Sequence, residues 1–280
     1  MARLQHTVTV VAVDRERLDG CAGPVCDLVE STRARGRDVL LPDGRAVPGL
    51  ALVKGRHLRP GARYETSGTD DGQVQTTVLR EWRRGGALAV EQLFRSAEFS
   101  ARTAVRLRRP ERPASLEVEA RVRGAEGSGR LHRLQGRASL DLAAWWAAAA
   151  AAPGASAGVR APATVRLKHL LGIAHLRLGP RPAGPGLWQV DVTLSLRGRW
   201  LLRPVVAFAL LLASVPLRRG FRTSVEEAAR QWNDAIGSVL AHDPDAFRRE
   251  LAEYLAKGPQ ATGPAPSTGA GTAPPPGTTA

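Results

Sequence analysis

Apolar and polar residues alternate along much of this chain with the two-residue period of half-buried strands. "HTVTVVAV" (His6 to Val13) is rich in β-branched residues and predicts a first strand. "QVQTTVLREW" puts Val74, Thr76, Val78, Arg80 and Trp82 in one phase, and "ALAVEQLF" does the same for Leu88, Val90, Gln92 and Phe94. In "ASLEVEARVRG", Leu116, Val118, Ala120 and Val122 alternate with Glu117, Glu119, Arg121 and Arg123. The most regular strand comes late: Trp188, Val190, Val192, Leu194 and Leu196 alternate with Gln189, Asp191, Thr193, Ser195 and Arg197. An antiparallel sheet with one apolar face produces this pattern.

Other stretches interrupt the alternation. After Val13, Gly20, Gly23 and Pro24 predict that any helix is split into two short pieces. Asp43-Gly44 and Asp71-Gly72 sit between apolar flanks and predict hairpins. From Gly124 to Gly186 the reading is harder. "LQGRASLDL" fits a strand, "AAWWAAAAAAPG" a helix up to Pro153, and "VRLKHLLGIAHLRLG" fits neither period, so the stretch reads as an insertion or a lengthened hairpin.

Beyond the last strand, an apolar run occupies Val205 to Val215 before Pro216, and Arg203 interrupts it on the upstream side. A membrane-crossing helix needs ~20 apolar residues, so the run predicts a helix of a soluble fold, broken or kinked at Pro216. Ser224 and Glu227 then form a capping box for a further segment. There Val225, Ala229, Trp232, Ile236, Val239 and Leu240 keep a 3.6-residue stripe. "DPDAFRRELAEYLA" predicts a last helix, and residues 258–280, rich in Pro, Ala, Gly and Thr, predict a disordered tail.

The formal net charge of +14 invites a nucleic-acid reading. Of the 40 basic residues, however, only Lys54, Lys168 and Lys257 are lysine, an imbalance that a GC-rich coding bias explains. The arginines are scattered, with no basic helical stripe and no interleaved aromatics, which argues against nucleic acid as a partner. Weak contact with an anionic membrane is compatible with the charge alone. Cys21 and Cys26 have neither zinc nor redox spacing and read as small residues around a turn. The N-terminal apolar core is too short for a signal peptide, so a cytoplasmic location is expected.

No motif names a reaction. "GASAG" (Gly154 to Gly158) matches a nucleophile elbow with Asp191 and His242 downstream, but lacks the strand before and the helix after that the elbow requires. "GAEGSGR" from Gly124 precedes no apolar helix, so it reads as a turn. His6, His57, His132, His169, His175 and His242 show no metal-ligand spacing, and no cofactor or metal is expected. Two polar residues intrude on apolar faces. Arg80 falls in phase with Val78 and Trp82, and Gln92 falls between Val90 and Phe94. A frayed strand end with Arg80 snorkelling to water explains the first; polar contacts to a ligand in an apolar pocket explain both.

The order of elements resembles the helix-grip fold of the START-like superfamily (SRPBCC; polyketide cyclase/dehydrase and Bet v 1-like proteins). "RLQHTVTVVA" resembles its opening strand, and "LRPGARYETSG" and "TTVLREWRRGGALAVEQLF" its middle hairpins. "VDVTLSLRGRWLLRPVVAFALLLASVPLRRGFRTSVEEAARQWNDAI" resembles its last strand and closing helix. The resemblance covers about two thirds of the chain, and the ~60 residues between Gly124 and Gly186 depart from it.

The resemblance implies an α+β fold over residues 1–257, with a curved antiparallel sheet wrapped around a long C-terminal helix. It also implies a cavity between them for a hydrophobic small molecule or lipid. Trp82, Phe94 and Trp188 are expected to line it with Val78, Val90, Val190 and Val192, and Arg80 and Gln92 to supply polar contacts. The superfamily shares no catalytic residues. Two alternatives stay open: cyclase or dehydratase chemistry in the same cavity, and a peripheral membrane or nucleic-acid binder acting through the arginines.

Overall fold

The computed structural model describes residues 2–67, 74–124, 132–151, 160–198, 214–241 and 243–258. The Asp71-Gly72 turn, the glycine-rich stretch after Gly124, the "GASAG" motif and the apolar run up to Ala213 lie outside those residues, as do His242 and the tail after Gly258.

One antiparallel sheet of 13 strands organises the chain. β1 (Ala2–Val11) is followed by helix α1 (Arg15–Ser31). Twelve strands then run as a meander: β2 (Arg33–Arg35), β3 (Asp38–Leu40), β4 (Ala46–Lys54), β5 (Arg63–Ser67), β6 (Val74–Trp82) and β7 (Ala87–Arg95) first. β8 (Phe99–Arg108), β9 (Ser115–Gly124), β10 (Arg133–Asp141), β11 (Ala163–His169), β12 (Gly172–Gly184) and β13 (Leu187–Gly198) follow. β1 pairs with β13, so β1 and β2 form the opposite edges. α2 (Leu142–Ala150) sits between β10 and β11, and α3 (Ser214–Ala241) and α4 (Pro244–Lys257) close the described chain. The fold is α+β.

Register carries one apolar face across the sheet. Leu88 pairs with Leu107 and Leu107 with Leu116; Val90 pairs with Val105 and Val105 with Val118. On the other side Val165 pairs with Leu176, Leu176 with Leu194 and Leu194 with Leu4. Two buried clusters lie on it. Val39, Leu41, Val47, Leu52, Ala62, Tyr64 and Leu79 form one, with Trp82, Leu88 and Val90 from the sheet and Leu255 from α4 packed against them. Val10, Val190, Val192 and Ala229 form the other, joined by Trp145, Trp188, Phe221 and Val225.

Several sequence expectations are corrected. α1 is one helix, not two: Asp14 caps it by accepting from the Arg17 amide at 2.6 Å, and Pro24 is retained inside it. Cys21, Cys26 and Leu28 are buried along it, and packing of this kind overrides the local cost of Pro and Gly. α3 likewise runs unbroken through Ser224, which is not a cap. Pro216 lies in its first turn, where a missing amide leaves no helical bond unmade. The 124–186 stretch, read from sequence as an insertion, supplies β10, α2, β11 and β12 to the common sheet.

The single phase assigned to Val74–Trp82 is also corrected. β6 changes register against β7 between Leu79 and Glu81, so one extra residue flips the phase. Thr77, Leu79 and Trp82 pair with Gln92, Val90 and Leu88 on the apolar face, while Val78 lies opposite Glu91 on the other face. Elsewhere caps and turns follow the sequence. Asp243 caps α4 with two amide bonds of 2.9 Å, and Gly44, at φ +88°, turns the chain between β3 and β4.

Candidate hydrophobic cavity

The β1 end of the apolar face does not close onto itself. A cavity of about 670 Å³ lies between β1, β10, β11, β12 and β13 on one side and α2 and α3 on the other. Val8 and Val10 reach it from β1, Leu176 and Leu178 from β12, and Trp188, Val190, Val192 and Leu194 from β13. Each set falls at alternate positions, so the strand period itself aims them inward. Phe221, Val225, Ala229, Trp232 and Ile236 face them from α3 at intervals of three and four, the spacing of one helical face.

Among the described residues, Ser224 is the only lining side chain that is neither aliphatic nor aromatic, and no lining side chain is ionisable. Four of the chain's six tryptophans line the space. Their polar atoms are turned to the protein: Trp146 Nε1 donates to the Val13 carbonyl at 2.9 Å, and Trp232 Nε1 to the Val11 carbonyl at 3.0 Å. Trp145 meets Trp188 edge-on, with ring centroids 5.8 Å apart.

The α3 wall is held to the sheet through the open edge of β1. The Asn233 amide accepts from the Val11 N–H at 2.8 Å and donates to the Thr9 carbonyl at 3.4 Å. These bonds occupy edge groups that would otherwise be free to pair with another strand.

Of the residues expected at the site, the structure brings Trp188, Val190 and Val192 to the cavity. It places the other six in the β6–β7 region. Trp82 and Val90 pack on the first cluster, and Trp82 Nε1 donates to Glu30 at 2.8 Å. Gln92 lies opposite Thr77 and Thr103, and Phe94 stacks on Phe99 with ring centroids 5.3 Å apart. Val78 is buried on the opposite face.

Arg80 is not a ligand contact in this cavity. It donates to Glu91 Oε2 at 2.7 and 3.0 Å while its own side chain stays 54% exposed. Arg102 holds the other oxygen at 2.5 Å, and Glu91 is buried between them. Burial pushes the Glu91 carboxyl up, but the hydrogen bonds and charges of the two arginines outweigh it and leave the group below the usual carboxylate value.

Trp145, Trp146 and the β11–β12 side chains were not expected at the site. The tryptophans sit in an alanine-rich run whose composition hides the face they share. Ala174, Leu176 and Leu178 do alternate with His175 and Arg177, but the two residues at the turn before them, Leu170 and Leu171, are not usual turn residues.

Two polar constellations lie elsewhere. Thr32 Oγ1 donates to the Val29 carbonyl at 2.6 Å, so it accepts from His57 Nε2, 2.9 Å away. His57 Nδ1 then accepts from the Tyr64 hydroxyl at 3.0 Å, and Tyr64 accepts from the Leu58 amide at 2.9 Å. Each group is matched in one direction, so the chain is a structural tie with neutral histidine. Burial holds His57 below its ordinary value of 6.5 and pushes Tyr64 above 10.

On the face opposite the cavity, Arg3, Arg137, Arg160, Arg166 and Arg177 surround a broad polar depression of about 1410 Å³ that also holds His175. Burial lowers the His175 value and the charges of Arg166 and Arg177 add to the effect.

No protein-family model matches this chain, and no curated protein and no solved structure matches it either.

Proposed function

We propose that this protein binds a hydrophobic small molecule or a lipid chain in the cavity between the β1–β10 half of the sheet and α3, in a helix-grip arrangement of the START-like kind. The observation that carries the reading is the lining. An aliphatic and aromatic wall, with its indole N–H groups bonded to the backbone, offers burial and no charge. The volume of about 670 Å³ suits a ligand of drug or acyl-chain size. A solid core at ordinary packing density leaves no such space.

Chain length supports a curled sheet. Thirteen strands laid flat would separate β1 from β2 by ~58 Å at ~4.8 Å per step. The link between those edges is α1, 17 residues long, and a few flanking residues, which together reach no further than ~46 Å. The edges must therefore approach, and a sheet bent in this way can grip a helix on its apolar side.

Catalysis is the weaker reading, because proton transfer needs an ionisable group within hydrogen-bond reach of the ligand and none lines the cavity among the described residues. A solvatochromic apolar dye tests the binding reading. Saturable emission enhancement, competed away by long-chain fatty acid, is expected; an enhancement linear in dye and insensitive to competitor would overturn it.

A further inference from the structure

The strand ends where β7 turns into β8 and β11 into β12 form one rim of the sheet, and its chemistry differs from the rest of the surface. The two residues at the tip of the β11–β12 hairpin are Leu170 and Leu171, 41% and 46% exposed. Hairpin tips ordinarily carry Asn, Gly or Asp, because those residues suit the backbone and water. Phe99, Leu134 and Leu167 are also exposed near the same rim. These five are most of the eight large apolar side chains exposed among the described residues.

Cations lie directly behind the leucines. Across β8 to β13, the two outward-facing registers nearest this rim hold Arg123 and Arg133 in the first and Arg102, Arg121, Lys168 and Arg197 in the second. Neither register contains a carboxylate; the first acidic residue inward is Glu119. All but Arg102 are without a carboxylate partner among the described residues. Arg123 stands opposite Arg133, and Arg102 opposite Arg121. Like charges facing each other across strands destabilise a sheet unless an anion lies over them.

We infer that this rim docks on an anionic bilayer, with Leu170 and Leu171 entering the headgroup and acyl boundary and the cation belt meeting lipid phosphates. At ~3.3 Å per residue, Lys168 and Arg197 stand within a Debye length of the tip, so both leucines and cations engage one surface. A nucleic acid would satisfy the cations but would leave the leucines in water. Leu167, near the rim, also lines the cavity. Docking is a separate claim from ligand binding and stands even if the cavity proves empty.

Co-sedimentation of the full chain with phosphatidylcholine vesicles, with and without phosphatidylglycerol, tests it. Binding is expected only with the anionic lipid and is expected to fall as salt rises. Lys168→Gln with Arg197→Gln is expected to weaken partitioning about fivefold per cation removed, and Leu170→Ser with Leu171→Ser about tenfold or more. Arg59→Gln, at the opposite strand ends, is expected to leave it unchanged, and all variants to keep the wild-type circular dichroism spectrum. Equal binding to neutral vesicles, or an Arg59→Gln loss as large as that of the belt variant, would overturn the inference. So would binding to a single-stranded RNA oligonucleotide that the leucine variant keeps and the belt variant loses.

Discussion

Replacing Ala174 with Phe separates a cavity from a packed core. Ala174 lines the space from β12, with Leu167 and Leu196 as its strand neighbours. In a filled interior a benzyl group forces neighbours off their rotamers and costs ~1–3 kcal/mol. In an open cavity the ring occupies existing room and gains apolar burial, so the ligand-free variant is expected to be within ~1 kcal/mol of wild type or more stable. A bound acyl chain would lose the volume that the ring takes. If that displaces roughly four to six methylenes at ~0.8 kcal/mol each, affinity falls by ~3–5 kcal/mol, or roughly a hundredfold to several thousandfold. Urea denaturation of the ligand-free protein and dye titration of both proteins read the two quantities. A variant destabilised by several kcal/mol with dye binding unchanged would refute the reasoning.

Tyr64→Phe leaves the Leu58 amide and His57 Nδ1 without their partner and is expected to cost ~1–3 kcal/mol in urea denaturation. Because His57 and His175 both sit below 6.5, the folded state favours their neutral forms. Stability is therefore complete above the unfolded value of 6.5, declines as pH falls through it, and levels off below the folded values; a flat profile across that window contradicts the network. Glu91→Ala removes the shared acceptor of Arg80 and Arg102, and because those arginines stay more than half exposed, the expected loss is only ~1–2 kcal/mol. Gly172→Ala would place a Cβ 2.7 Å from the Arg197 carbonyl oxygen and is expected to cost ~1–3 kcal/mol in thermal or chemical denaturation.

Strands were legible in the sequence wherever one face is buried and the other wet. β9 and β13 declare themselves through unbroken alternation, and the α3 residues that line the cavity follow the 3.6-residue stripe. Phase across a bulge was not legible. Nothing in "VQTTVLREW" marks the extra residue near Arg80, and that residue alone moves Val78 and Arg80 to the opposite face from Trp82. Helix continuity was also hidden. Gly20, Gly23, Pro24 and Ser224 each carry a local signal to stop, and burial of Cys21, Cys26, Leu28 and Ala229 prevails over it. Of the β6 and β7 residues expected at the cavity, Trp82 and Val90 pack instead on the first cluster, beside Leu79 and Leu88. Trp188, Val190 and Val192 do line the cavity, and the phase of their strand is never interrupted.

Tryptophan fluorescence quenching by a brominated fatty acid tests the cavity most directly, because bromine quenches at short range and Trp145, Trp146, Trp188 and Trp232 all line the space. Saturable quenching that reaches its limit at one chain per protein molecule is expected, with Ala174→Phe shifting its midpoint to at least roughly a hundredfold more ligand. Emission that the brominated chain leaves unchanged, or that falls without saturating, would contradict it.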